Sequence, residues 1–118
     1  MKTHILCLGD SNTHGYCADP NDCADHGIRF NEDERWTCRL QKALGDEYLV
    51  TEEGLSGRTT VFVDPIHESM DALSVCYALL KSHEVIDLLI IMLGTNDVKE
   101  RFLSLIHISE PTRHSLIS

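Results

Sequence analysis

Short apolar runs alternate with segments of helical apolar spacing along most of the chain. The runs at Ile5 to Leu8, Tyr48 to Thr51 and Ile86 to Leu93 are short and end at turn-forming residues, which predicts three β-strands. The first run is apolar without alternation, as in a strand covered on both faces, and we place it at the centre of the sheet.

Two helices are predicted between these strands. Apolar residues recur every four positions from Trp36 to Leu44, and Gly45 follows as a stop signal, which predicts a helix over about 34–44. A second helix follows the turn residues Asp64-Pro65, and its apolar positions are Met70, Leu73, Cys76, Tyr77 and Leu80. The order strand, helix, strand, helix, strand predicts an α/β domain with a parallel sheet and right-handed crossovers.

The segment from Ser11 to Asp33 is rich in Gly, Asp, Asn and Pro and lacks periodicity, so we predict a long loop at one rim of the sheet. It contains Cys17 and Cys23, close in sequence to His14 and His26. Their spacing matches no template for a zinc site. The chain has five cysteines and no Cys-x-x-Cys pair, which favours reduced thiols over a disulfide framework.

Composition narrows the class of protein. The chain has 118 residues, of which 42% are hydrophobic, enough for the core of one small domain. Its formal net charge is -9 and it has no basic cluster, so neither a nucleic acid nor an anionic membrane surface is expected as a partner. The longest apolar run is too short to span a bilayer and no signal peptide is recognised, which predicts a cytoplasmic location.

Small and polar residues directly follow each predicted strand, where α/β folds collect their functional groups. The first loop, Gly9 to Thr13, places Ser11 beside small and acidic residues. The second loop, Gly54 to Thr60, contains a glycine whose backbone N–H can approach a ligand. The third loop, Gly94 to Asp97, contains Asn96, whose side-chain amide can donate a hydrogen bond. Together these groups are typical of a nucleophile with an oxyanion hole.

The sequence resembles the SGNH, or GDSL-type, esterase and acylhydrolase family, in its arylesterase and acyltransferase branch. The three motif blocks of that family are similar to Gly9-Asp10-Ser11, the glycine of Ser56-Gly57-Arg58, and Gly94-Thr95-Asn96-Asp97. The similarity includes Arg35-Trp36-Thr37 and covers about residues 2–102. The resemblance implies a three-layer, flavodoxin-like α/β fold with a parallel sheet, whose later strands and helices are missing here.

The resemblance also implies a role for each matching residue. Ser11 is the implied acyl-accepting nucleophile, and Gly9 and Asp10 shape the turn that exposes it. The implied oxyanion donors are the backbone N–H groups of Ser11 and Gly57 and the side-chain amide of Asn96. The implied activity of the full-length parent is hydrolysis of small acyl esters, or acyl transfer, through an acyl-enzyme on Ser11. No metal and no organic cofactor are implied. The implied partners are a small-molecule ester and further copies of the parent chain.

Two other polar residues of these loops are predicted to be structural. Arg58 and Asp97 are expected to support the loops by hydrogen bonding. Arg58 as a ligand of a substrate carboxylate is the weaker interpretation.

A serine nucleophile needs a base, usually a histidine oriented by a carboxylate. The family supplies this base from an Asp-x-x-His motif near its C-terminus, and the chain ends before that region. The one Asp-x-x-His present, Asp64 to His67, lies between the second and third motif blocks, and we interpret it as a coincidence of spacing. The imidazoles of His4, His26 and His83 are expected either to have hydrogen-bond partners within the protein or to be solvated. The role of His14 is left open.

The character of the sequence changes after Phe102. Residues 103–118 stop matching the family and resemble a translated sequencing-adapter segment, so we predict a non-native or disordered tail. Residues 1–102 are then the N-terminal part of an SGNH hydrolase domain. If the tail is native, His107 or His114 would be the late histidines able to approach Ser11. Without later strands, the third strand is expected to be an open apolar edge, and the chain to fold poorly alone.

Two alternatives to an esterase are kept. One is a catalytically inert fragment or binding module that retains the pocket but lacks the Asp-x-x-His base. The other is a flavodoxin-like binder of phosphate or a nucleotide through Gly9 to Thr13, although the Gly-x-Gly-x-x-Gly helix start typical of such sites is absent from the sequence.

Overall fold

The computed structural model describes residues 1–23, 27–64 and 69–98, which form a parallel three-stranded sheet with helices around it. The strands, in the sheet order β2-β1-β3, are β1 (Thr3–Gly9), β2 (Tyr48–Gly54) and β3 (Leu88–Met92). The predicted α/β fold with its first strand at the centre is confirmed. All three strands run in the same direction, so their carboxyl ends, and the loops that follow them, meet at one edge of the sheet.

Besides the strands, the described residues form three α-helices and two short 3-10 segments. They are α1 (Ser11–His14), α2 (Trp36–Leu44), α3 (Ala72–Lys81), and the 3-10 segments Pro20–Asp22 and Thr95–Val98. The two helices predicted from apolar spacing are confirmed as α2 and α3. The prediction of a continuous loop over 11–33 is wrong at its start, because one helical turn forms there without any apolar periodicity.

The helices α2 and α3 lie on opposite faces of the sheet. Successive residues of a strand point to opposite faces, so Glu52 and Glu53 of β2 mark the two sides. Glu52 accepts a hydrogen bond from the hydroxyl of Thr37 in α2. Glu53 faces His83, just past the end of α3, with 3.7 Å between His83 Nε2 and Glu53 Oε1. The described residues therefore form three layers, with β1 almost wholly buried in the middle one.

The two outer strands differ in how they are covered. On β2, the Gln41 side chain of α2 accepts a hydrogen bond from Val50 N at 2.7 Å and donates one to Tyr48 O at 2.7 Å. These bonds provide partners for two backbone groups on the outer edge of β2. On β3, Leu88 is 50% exposed and Ile91 is 57% exposed. No strand pairs with the outer edge of β3 among the described residues.

His4 is a structural residue at the amino end of β1. It is buried, with Nδ1 2.8 Å from Val85 O and Nε2 2.8 Å from Thr51 Oγ1. Since a carbonyl oxygen can only accept, Nδ1 donates to Val85 O, and Nε2 shares a hydrogen bond with the Thr51 hydroxyl. Both ring nitrogens are thus satisfied, as the sequence predicted.

The expectation of free thiols is wrong for two cysteines. Cys17 and Cys23 are joined by a disulfide, are both buried, and have Cα atoms 6.6 Å apart. The 3-10 turn Pro20–Asp22 reverses the chain between them, which sequence spacing alone does not reveal. The free cysteines of the described segments are Cys7, Cys38 and Cys76. Burial, aided by the charge of Glu52, raises the pKa of the Cys7 thiol and keeps it protonated.

Candidate active site

Ser11 lies at the point where β1 turns into α1. The strand ends at Gly9, and the carboxylate of the buried Asp10 caps the helical turn by accepting a hydrogen bond from Asn12 N at 3.0 Å. Ser11 is the first residue of the turn and is partly exposed. Asp10 thus shapes the turn that presents Ser11 at the carboxyl edge of the sheet.

Two glycines allow α1 to pack closely against the strand ends. A Cβ on Gly9 would lie 2.0 Å from Thr13 Oγ1, and a Cβ on Gly54 would lie 2.3 Å from His14 N. Real Cβ atoms do not approach other atoms so closely, so each position requires glycine for space. The backbone of α1 therefore rests directly on the end of β2, and the Thr13 side chain of α1 rests on the end of β1.

The loop after β2 begins with a tight turn over Leu55 to Arg58. Arg58 N donates to Leu55 O at 3.1 Å, and Gly57, the third residue of the turn, has φ of +85°. A positive φ at this position is typical of a type II turn, and glycine adopts it without strain. Leu55 N donates to Gly9 O at 3.2 Å, so the turn that carries Gly57 is attached to the end of β1.

Asn96 follows β3 in the 3-10 segment Thr95–Val98 and is buried. Its Nδ2 donates to Arg58 O at 3.0 Å, beside Gly57 in the second loop. A side-chain amide has two N–H groups, and this bond uses one of them. The second N–H can therefore donate elsewhere.

A second contact joins the same two loops. The Asp97 carboxylate accepts from Thr60 N at 2.9 Å and from Thr60 Oγ1 at 3.0 Å. Because the two carboxylate oxygens bind different groups of one residue, the loops after β2 and β3 are held in a single arrangement. The predicted loop-supporting role of Asp97 is confirmed by these bonds.

Arg58 is buried under the same loops. Its Nη1 donates to Glu53 O at 2.7 Å and lies 3.4 Å from Gly9 O, at the ends of β2 and β1. Burial lowers the pKa of the guanidinium, while the charge of Glu53 opposes that change. The side chain therefore supports the loops, as predicted from the sequence.

The residues expected in the site thus lie in three loops that hydrogen bonds connect to one another. Gly9, Asp10 and Ser11 form the first, Gly57 lies in the second, and Asn96 lies in the third. The contacts missed by the sequence analysis are those of Thr13 with Gly9 and of His14 with Gly54. The feature of the sequence that could have indicated these contacts is the glycine at the end of β1 and of β2, since a glycine there leaves room for α1 to approach the strand end.

The histidines do not provide a base for Ser11 within the described segments. His14 Nδ1 donates to Gly54 O at 3.2 Å, His4 lies in the amino-terminal part of β1, and the His83 ring lies between the His4 ring and the Glu53 carboxylate. No hydrogen bond joins a histidine to the Ser11 hydroxyl in residues 1–23, 27–64 and 69–98. His26, His67, His107 and His114 lie outside the described residues.

Neither a metal centre nor a membrane span is found in the part of the chain that the structure describes. It holds no group of three or more His, Cys, Asp or Glu side chains arranged to bind a metal ion. None of its helices has the length and apolar character needed to cross a bilayer.

Comparison with known proteins gives a consistent result. The model of the GDSL-like lipase/acylhydrolase family matches residues 7–108. A search of curated proteins found no match. Among solved structures, Est24, a carbohydrate acetylesterase from Sinorhizobium meliloti, is 40% identical with a TM-score of 0.77. The alignment covers 86% of this chain and 46% of Est24.

Two further solved structures extend the comparison. The aryl esterase of M. smegmatis is 39% identical with a TM-score of 0.77, over 89% of this chain and 50% of the esterase. AlinE4, an SGNH-hydrolase family esterase, shares the fold at 23% identity with a TM-score of 0.62, over 98% of this chain and 55% of AlinE4. The chain therefore spans about half the length of these esterases. Because the family model matches most of the sequence and the SGNH fold is shared with these enzymes, the chain belongs to the GDSL-like lipase/acylhydrolase family.

Proposed function

We propose that Ser11 is the nucleophile of a serine esterase that acts on small acyl esters, with this chain as its N-terminal half. One observation carries the proposal: Asn96 Nδ2 is bonded to the backbone beside Gly57, on loops attached to the β1 end that presents Ser11. Three potential oxyanion donors thus belong to one hydrogen-bonded set of loops. The carbohydrate acetylesterase that shares the fold supports an acyl group as small as acetyl.

The proposed reaction proceeds through an acyl-enzyme. Ser11 Oγ attacks the ester carbonyl carbon and transfers its proton to a base. The negative oxygen of the tetrahedral intermediate accepts hydrogen bonds from Ser11 N, Gly57 N and the unused N–H of Asn96 Nδ2. Collapse of the intermediate breaks the ester C–O bond, and the protonated base gives its proton to the departing oxygen, so that the alcohol is released. Water then attacks the acyl group on Ser11 and releases the acid, or another alcohol accepts the acyl group. No metal or organic cofactor takes part.

The base is proposed to come from outside the described residues. The family resemblance implies a histidine from an Asp-x-x-His motif near the C-terminus, and the solved esterases are about twice as long as the aligned region. We place residues 1–102 in the catalytic domain and assign no catalytic role to residues 103–118. We also propose a cytoplasmic location, a small-molecule ester as the only class of substrate, and self-assembly of the full-length parent.

A direct test begins with the coding sequence. The source gene is sequenced beyond the codon of Phe102, and the complete frame is expressed beside the 118-residue chain. We expect the complete frame to contain a later Asp-x-x-His, to hydrolyse p-nitrophenyl acetate, and to be labelled at Ser11 by a fluorophosphonate. The 118-residue chain should show background turnover. A confirmed end of the gene at Ser118, with no labelling of Ser11, would support an inert module instead.

Replacement of Asn96 tests the oxyanion hole. Asn96→Ala in the complete frame removes one donor to the developing charge and is expected to lower kcat by about 100- to 1000-fold. KM should change little, since the lost interaction forms only in the transition state. Ser11→Ala is the reference for complete loss. An Asn96→Ala enzyme with wild-type kcat would remove Asn96 from the proposed mechanism.

A further inference from the structure

We propose that Arg58 is the positioning residue of the oxyanion hole, holding the Gly57 turn and the Asn96 amide in place relative to Ser11. This inference rests on the proposed function. It concerns a residue that would touch neither the substrate nor the reacting atoms, because its side chain is buried beneath the loops.

The turn that carries Gly57 is attached at both ends to the same atom. Leu55 N, at its start, donates to Gly9 O at 3.2 Å, and Arg58 Nη1, at its end, lies 3.4 Å from that oxygen. Gly9 is two residues before Ser11 in the chain. The position of the Gly57 turn is therefore set directly against the strand end that leads into Ser11.

The guanidinium also joins two strands. The same Nη1 donates to Glu53 O at 2.7 Å, so the ends of β1 and β2 share one donor group. A guanidinium is planar and presents its N–H groups in fixed directions, whereas a lysine ammonium is a point donor on a flexible stem. Arginine is thus better suited than lysine to fix two carbonyls that belong to different strands.

The backbone of the same residue holds Asn96. Arg58 O accepts from Asn96 Nδ2 at 3.0 Å, which fixes the plane of the amide. Rotation of that plane would redirect the second N–H, the one proposed to face the oxyanion. A shift of Arg58 therefore changes the direction of the Asn96 donor as well as the position of Gly57.

Packing alone does not account for an arginine at this position. The residue is only 6% exposed, and its Nε has no hydrogen-bond partner among the described residues. A buried polar N–H without a partner costs stability, and an apolar side chain of similar length would avoid that cost. The side chain is explained by the carbonyls that it positions.

The first arm of the test uses the complete frame, because the 118-residue chain is expected to self-associate, and it requires no activity. Arg58→Met, Arg58→Lys and the control Arg39→Met, which alters an exposed arginine of α2, are compared in 1H–15N spectra. The side-chain amide signals of Asn96 are assigned by their loss in Asn96→Ala. In Arg58→Met we expect these signals to move toward free-amide positions and the exchange of the Leu55 N–H to accelerate by about tenfold or more.

The expected pattern is specific to the loops. Amide exchange within β1 should stay at wild-type rates in Arg58→Met, Arg58→Lys should be intermediate, and Arg39→Met should match the wild type. Unchanged Asn96 signals in Arg58→Met would overturn the proposal. So would a loss of protection throughout the sheet in both Arg58 variants, or an unprotected Leu55 N–H in the wild-type chain.

The second arm measures kinetics in the complete frame. Misplaced donors weaken transition-state binding alone, so Arg58→Met should lower kcat by about 10- to 100-fold with KM within about twofold, and Arg58→Lys should recover part of the loss. Equal kcat in Arg58→Met and wild type would overturn the proposal. Absence of Ser11-dependent turnover in the wild type would instead refute the proposed function, and the spectra would still decide whether Arg58 positions Asn96.

Discussion

Individual glycines decide how closely the loops of this chain approach one another. Gly54 and Gly45 show two different reasons for a glycine. Gly54 has no room for a side chain, because its Cβ would meet backbone atoms of α1. Gly45 has φ of +86° and open space where a Cβ would lie, with no atom within 4 Å, so its constraint is conformational. The same substitution should therefore fail for different physical reasons.

Gly54→Ala is expected to destabilise the chain by about 1–3 kcal/mol, because α1 must move away from the end of β2. Gly45→Ala should cost about 1–3 kcal/mol through backbone strain alone, because φ of +86° with ψ of -169° is accessible essentially only to glycine. Urea unfolding measures both free energies. The two variants should also differ in the spectrum of α1, which should shift in Gly54→Ala only. Equal stability of Gly54→Ala and the wild type would contradict the close packing of α1 on β2.

At the scale of the element, α1 and α3 each begin after an aspartate whose carboxylate caps the helix. The carboxylate of Asp71 caps α3 by accepting hydrogen bonds from the backbone N–H and the hydroxyl of Ser74. The hydrogen bond from the Ser74 hydroxyl lowers the pKa of Asp71. Burial opposes this change, and the hydrogen bond from Ser74 N adds to it. The cap is therefore strongest when the carboxylate is ionised.

The contribution of this cap should depend on pH. A lowered pKa means that the stabilisation is present above the unfolded pKa of about 3.9 and is lost as the pH falls through the folded value below it. Asp71→Ala should lower the free energy of unfolding by about 1 kcal/mol at neutral pH and by less near pH 3 or below. Asp71→Asn, which keeps an acceptor oxygen, is the control, and its free energy of unfolding should fall by less than that of Asp71→Ala. Urea unfolding across this pH range checks the prediction, and a deficit independent of pH would contradict it.

At the scale of the whole molecule, the main feature is an apolar edge strand, β3, with which no further strand pairs among the described residues. Leu88 and Ile91 of β3 point to opposite faces of the sheet and both are at least half exposed. Leu73 and Tyr77 of α3 are also exposed. Exposed apolar edge strands pair with other chains, and lysine on an edge strand opposes such pairing.

The 118-residue chain is therefore expected to self-associate. Sedimentation of the wild-type chain should show species larger than a monomer that grow with concentration. The double variant Leu88→Lys and Ile91→Lys should move the population toward the monomer. Val61→Lys, at an exposed apolar residue of the loop after β2, should not. A monomeric wild-type chain with a cooperative thermal transition would contradict this prediction.

The order of strands and helices could be predicted because burial leaves a local pattern. The apolar run at Ile5 to Leu8 indicates a strand covered on both faces, and the four-residue spacing from Trp36 to Leu44 indicates one helix face. The helical turn at Ser11 to His14 has no such pattern. It forms where Asp10 caps it and Gly54 packs against it, and that second contact spans a long stretch of sequence.

The sequence by itself determined the parallel α/β fold, the family, and the three loops in which chemistry is expected, because strand ends and short motifs are local features. Only the tertiary structure decided that Cys17 is bonded to Cys23, that Arg58 is buried beneath two strand ends, and that Asn96 is held by Arg58. The physical reason is that a hydrogen bond or a disulfide depends on the distance between atoms in space. That distance is set by the packing of the whole sheet and not by the neighbouring residues of the chain.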